Sequence, residues 1–197
     1  MTSADVARRP GRPRSVEADE AILEAAIDLF AEVGLEGLTV EGVAARAGVG
    51  KATIYRRYPG KADLVVAAAR RFTEGPIDPP DTGSTRGDFR ALVDGVIRLL
   101  TTTPLGRVLP ILVAARMRVA ELDVAYSEIV AAKRARSAVV IQRAIERGDL
   151  RADVDPEVVA DCYVSPIFYR FLITGAPLDD AFASAIVDAT MRAFGAS

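Results

Sequence analysis

Histidine is absent from the 197 residues, and so is tryptophan. Without imidazole the chain lacks the usual general base of acyl-transfer triads and the commonest zinc and iron ligand. A single cysteine, Cys162, allows no intramolecular disulfide and fits a reducing compartment. It falls among apolar helix positions and reads as a core residue, not a reactive thiol. No Gly-rich phosphate loop is present, and Asp179-Asp180 read as the first turn of a helix, not an acid/base pair. The expectation is therefore a protein that is no enzyme and carries neither cofactor nor metal. The first residues are charged but lack the apolar stretch of a signal peptide. The longest apolar run, Val108 to Ala115, contains Pro110, is flanked by Arg107 and Arg116, and is far too short for a bilayer. A soluble, cytoplasmic chain with no membrane partner is expected.

Bulk charge is also lacking, at a net −2, but its distribution is uneven. Residues 42–71 carry Arg46, Lys51, Arg56, Arg57, Lys61, Arg70 and Arg71 against Asp63 alone. The arm 8–14 adds Arg8, Arg9, Arg12 and Arg14. Between them runs an acidic stretch of Glu17, Asp19, Glu20, Glu24, Asp28, Glu32, Glu36 and Glu41, with no basic residue. Such segregation is the footprint of a protein with one face on phosphate. Half the residues are apolar, enough for a sizeable core, and abundant Ala and Leu with few aromatics favour helices. The fold class expected is all-α.

Residues 1–15 read as a disordered basic arm, because Pro10, Gly11 and Pro13 oppose regular structure. Ser15 is placed to cap a first helix, whose stripe Ile22, Ala25, Ala26, Leu29, Phe30 and Val33 ends at Gly34. Thr39 caps a second helix, Val40 to Ala47; Gly48 breaks it, Val49 is a buried hinge, and a third helix runs from Gly50 through Tyr58. Pro59-Gly60 stops that helix before a fourth begins at Lys61. Two short helices joined by a Gly-containing turn have the dimensions of a helix-turn-helix. The domain so outlined is 16–75. A break rich in Gly and Pro at 75–85 separates it from a helical domain, 84–197, with helices at about 86–102, 104–119, 123–147, 156–174 and 178–194.

On a wheel at about 100° per residue, Ile54 and Tyr58 share the inward side of the third helix. The outward side presents Ala52, Thr53 and Arg56, flanked by Tyr55 and Arg57. Arg bridges guanine O6 and N7, Thr bonds a base or touches a thymine methyl, and Ala lets the backbone approach. Lys51, Tyr55, Lys61 and Thr39 fall where phosphates run, and Tyr58, though inward, is counted with them among the DNA-binding candidates. A solvated basic face is the alternative; the acid-poor window, the turn and the interleaved tyrosines favour nucleic acid. In the arm, Pro10-Gly11-Arg12-Pro13-Arg14 contains a Gly-Arg-Pro unit whose Arg12 and Arg14 either enter an A·T-rich minor groove or supply nonspecific attraction. The first of these options makes an architectural, A·T-preferring DNA-binding protein the rival reading.

The segment from Thr39 through Ala44, Gly48-Val49-Gly50, Ile54-Tyr55 and Lys61 to Leu64, preceded by Phe30-Ala31-Glu32-Val33-Gly34, resembles the signature of the TetR family of transcriptional regulators. The likeness covers about residues 17–70. Gly50 stands where the family often has Ser, which removes a side-chain cap or phosphate contact. Arg57-Tyr58 stands where His-Phe is common, so the flanking contacts are open. The resemblance implies a homodimeric repressor on a palindromic double-stranded DNA operator, released by a small-molecule effector bound in the C-terminal domain. It also implies that the last two helices pair with their mates. Val159, Tyr163, Ile167 and Phe171 on one, with Phe182, Ile186 and Ala189 on the other, are the expected dimer residues. Pro166 is expected to kink the first of them. Phe89, Arg116, Tyr126 and Phe168 are candidates for the effector pocket. Lys133, Arg134 and Arg136 read as either contacts for an acidic ligand or a solvated face.

Overall fold

A computed structural model describes residues 14–73 and 78–196, and among these residues there are helices but no strand. The chain divides into two compact units, residues 1–68 and 69–197. Arg12 lies outside the described residues. Arg14 opens the first helix, so Ser15 is inside it and is not its cap.

The first unit holds α1 (Arg14–Gly37), α2 (Val40–Ala47), α3 (Lys51–Tyr55) and the start of α4 (Lys61–Thr73). Its core is broader than the stripe read from sequence, because Leu23 and Ile27 are buried beside Ile22, Ala25, Ala26 and Phe30. Val33, the last member of that stripe, is instead exposed. The cause is local: Gly34 takes φ 67°, a left-handed conformation open to glycine at little cost, and the backbone bends there. Leu38, Val43, Ile54 and Leu64 close the core from the other helices.

The second unit contains α5 (Thr85–Thr102), α6 (Leu105–Arg116), α7 (Ala120–Glu146), α8 (Pro156–Tyr169) and α9 (Asp180–Phe194). The end of α8 continues as a wide π turn, Arg170–Thr174, in which the Gly175 amide reaches back to the Arg170 carbonyl at 2.8 Å. Local chemistry sets the ends. Asp155 accepts from the Glu157 amide at 2.8 Å with Pro156 at the first helical position, and Asp179 accepts from the Phe182 amide at 2.9 Å. Phe89 of α5 meets Tyr163 of α8 edge to face, with ring centroids 5.6 Å apart, at the centre of a core shared by α5, α7, α8 and α9. An ion pair whose acid is buried ties the start of α5 to the residue that follows α7, 59 positions along the sequence. Asp88, with no exposed surface, accepts from Arg147 Nη2 at 2.8 Å and from the Thr82 amide. Among the described residues no single helix is long and apolar enough to cross a membrane.

Candidate nucleic-acid interface and effector region

Thr39 holds an extended backbone, and its hydroxyl oxygen accepts the Gly42 amide at 3.1 Å, so α2 starts on a side-chain cap. Gly48 ends α2 in the left-handed region at φ 66°, a conformation that an L side chain would strain. Val49, expected to be a buried hinge, is only half-buried. Gly50 then starts α3 with no side-chain bond to its amides. The regular part of α3 stops at Tyr55, earlier than expected. The winding nevertheless carries on, because the Tyr58 amide bonds the Ile54 carbonyl at 2.8 Å.

Ile54 is fully buried and pins α3 to the domain. Lys51, Ala52, Tyr55 and Arg56 are exposed and Thr53 is half-buried, so the expected reading face is open to solvent. Among the described residues Arg56 holds no ion pair, and its guanidinium is available to a base edge. Three other basic residues are tied to acids. Arg46 grips Glu32 of α1 through both terminal nitrogens at 2.8 Å. Lys51 sits 3.1 Å from Glu41, and Arg57 sits 2.8 Å from Asp19. The backbone amide at Glu41 and then the Lys51 ammonium hold the Glu41 carboxyl below its ordinary range. Lys61 donates to the Glu36 carbonyl at 3.3 Å.

Tyr58 is half-buried, and its hydroxyl donates to Asp19 Oδ1 at 2.8 Å. Burial and then the bond to Asp19 push its phenol up to about 12. Its place is that of a strut behind the reading face, as its inward wheel position suggests. Asp19, Glu32 and Glu41 are the residues missed in reading the sequence for a site. The signal was present in the block of eight acids facing a block of bases, but its linear separation hid the pairing.

In the second unit several expectations are corrected. Val159, Tyr163, Ile167 and Ile186 are buried within a single chain, at 0, 2, 0 and 5% exposure, and have no surface to offer a partner. Phe171 and Phe182 are half-buried against the same core, and Ala189 alone of the seven is exposed. The face of α8 that does look outward is displaced by one residue: Val158, Cys162, Ser165, Tyr169 and, past the helix, Ile173. Cys162 is thus exposed and not a core residue.

None of the four effector-pocket candidates lines the groove found in this unit at the α5–α6 bend. Phe89 is core, Phe168 packs on that core, and Arg116 lies over the Tyr126 ring at 4.3 Å while pairing with Asp123 at 3.0 Å. The groove, open and of about 590 Å³, lies between Leu100, Thr103, Pro104, Arg107 and Phe171. The hydroxyls of Thr101, Thr102 and Thr103 are spent on carbonyls four residues back, at 2.8, 2.8 and 2.7 Å.

Residues 22–68 match the profile described as bacterial regulatory proteins, tetR family, and residues 79–190 match the tetracyclin repressor-like C-terminal domain. The uncharacterized HTH-type transcriptional regulator YdeS of Bacillus subtilis is 35% identical over 185 residues, covering 93% of this chain and 91% of its own. A DNA-binding transcriptional repressor TetR of Mycobacteroides abscessus is 31% identical over 174 residues, covering 85% and 88%. The crystal structure of FadR from Bacillus subtilis in complex with stearoyl-CoA has the same fold, with a TM-score of 0.72, 18% identity and coverage of 87% and 97%. With two consecutive family matches and full-length relatives, this chain belongs to the TetR family of helix-turn-helix transcriptional regulators.

Proposed function

We propose that this regulator is a cytoplasmic repressor that binds a palindromic operator as a homodimer and leaves it when a small molecule occupies the second unit. The observation that carries the reading is the division of α3, with Ile54 fully buried while Ala52, Tyr55 and Arg56 face solvent. A recognition helix docked in the major groove requires that division. Repression is supported by the Mycobacteroides relative, a DNA-binding transcriptional repressor, and ligand control by the stearoyl-CoA held by FadR.

Dimerisation is supported by the outward face of α8. Val158, Tyr169 and Ile173 are 49, 59 and 71% exposed, a contiguous apolar strip of the kind that a second copy covers. The exposed small residues Ala185 and Ala189 of α9 allow close helix approach beside it. Coupling to an effector is then a difference in the effector's affinity for two arrangements of the DNA-reading heads. Selection of binding sites from random DNA tests the whole reading. It is expected to return an inverted repeat, whereas A·T-rich sites lacking symmetry would refute it.

A further inference from the structure

We propose that Lys133 and Arg136 of α7, beside the buried Tyr163 of α8, form a binding point for the carboxylate or phosphate group of a small molecule. The proposal deepens the effector part of the function proposed above and rests on it only for operator release.

The basic run at 133–136 sorts into two kinds of residue. Arg134 points to acids at the start of α8, 2.6 Å from Asp161 and 3.5 Å from Glu157. Lys133 and Arg136 are half-buried, as Arg134 is, but point to no such acids. Lys133 Nζ donates to the Thr73 carbonyl at 2.7 Å, and burial followed by the Arg136 charge pulls its ammonium below the ordinary lysine range. Arg136 Nε is buried with no hydrogen-bond partner. Arg143 shares an unpartnered Nε, but its terminal nitrogens are held by Asp81 at 2.9 Å and the Pro80 carbonyl at 2.8 Å.

Neither Lys133 nor Arg136 has a carboxylate within 4 Å among the described residues. Arg86, Arg90, Arg116, Arg143, Arg147 and Arg151 of the same unit each have one. Two partly desolvated cations that repel each other are costly, and a bound anion removes that cost.

The hydroxyls nearby are already committed. Ser137 Oγ donates to the Lys133 carbonyl at 3.1 Å, so the Tyr163 phenol is the donor in its short bond to Ser137. That leaves the guanidinium fork and the ammonium as the recognising groups, which suit a planar carboxylate or a tetrahedral phosphate and reject a cation.

The full-length protein is titrated with sodium octanoate, octyl phosphate and 1-octanol while its melting temperature is followed. Both anions are expected to raise it by roughly 5–10 °C at a hundredfold excess over Kd. The alcohol is expected to leave it unchanged, and the larger anion response identifies the preferred head. Arg136→Met is expected to melt higher than wild type without ligand, since a half-buried charge with no carboxylate partner is gone, and to lose both anion responses. Arg136→Lys keeps a weakened response. The proposal is overturned if wild type shows no anion shift, if the shift survives in the Lys133→Met/Arg136→Met double variant, or if Arg136→Met melts lower without ligand. An anion that binds in this Arg136-dependent way yet leaves the operator complex intact supports the site and refutes the effector reading.

Discussion

Tyr58, on the turn that follows α3, and Arg57 beside it both donate to one oxygen of Asp19 in α1, each at 2.8 Å. One carboxylate thus fixes the exit of the recognition helix, as Ile54 fixes its middle. The Tyr58 phenol is raised to about 12 by burial and then by Asp19. A raised folded-state value means that the stabilisation is complete below the ordinary tyrosine range and is lost as pH climbs from about 10 through 12. Tyr58→Phe is expected to cost about 1 kcal/mol at neutral pH. Urea unfolding should show the gap between the two proteins narrowing over that alkaline window; a constant gap would count against the Asp19 bond.

Glu41 occupies the cation that a phosphate would otherwise take. Lys51 lies 3.1 Å from it, with both side chains more than half exposed, so the pair is weak and readily exchanged. Glu41→Gln is expected to raise affinity several-fold for every DNA sequence and to steepen the dependence of log K on log salt by about one. Binding isotherms across a salt series check this, and an unchanged slope would show that Lys51 does not reach the backbone.

Arg56 and Lys61 should separate reading from gripping. Arg56→Ala is expected to cost about 1–3 kcal/mol and to relax a single operator position. Lys61→Ala should weaken all sites alike and flatten the salt slope by about one. Competition among single-base operator variants decides; intact discrimination in Arg56→Ala would place the reading elsewhere on α3.

The outward face of α8 gives a third kind of test. Tyr169→Glu with Ile173→Asp puts two charges on residues already more than half exposed in the single chain, so helicity and fold should persist. Sedimentation is expected to report a monomer at micromolar concentration, with operator affinity lost. A variant pair that remains dimeric would mean that another surface joins the copies.

The boundaries at Thr39, Gly48 and Asp155-Pro156 were readable because their signals are local and act on backbone groups within four residues. The exposed side of α3 was readable for a similar reason, since buried Ile54 sets the wheel. The outward face of α8 was not. On α8 apolar residues cover almost the whole circumference, so periodicity cannot say which side belongs to the chain's own core. Phe89 packing on Tyr163 decides that side, from 74 residues away in sequence. The straps to Asp19 and Glu32 escaped for the same reason. Each acid is ordinary by itself and gains its role from a helix that folds back on it.

Asp88 shows how such a distant tie affects stability. Burial raises its carboxyl, but bonds from the Thr82 amide and from Arg147 outweigh that and leave it below the ordinary value. The contribution is therefore present above about pH 4 and disappears on acidification. Asp88→Asn is expected to lower the melting temperature by roughly 5–10 °C at neutral pH and much less at pH 3. Calorimetry at the two pH values provides the check.

The wide turn after Tyr169 has a bearing on what changes in chain length this fold can absorb. Inside a packed α-helix one residue more or fewer swings everything beyond it by about 100°, which at Val159 would turn core side chains into water. Between Arg170 and Gly175 the loop closes over five residues where an ordinary turn closes over four, so it already stores one surplus residue. Removing one there relaxes the winding to an ordinary turn and leaves α8 and its two faces untouched. Homologues are expected to differ by a single residue at this point, and loop-length engineering of the regulator is best begun there.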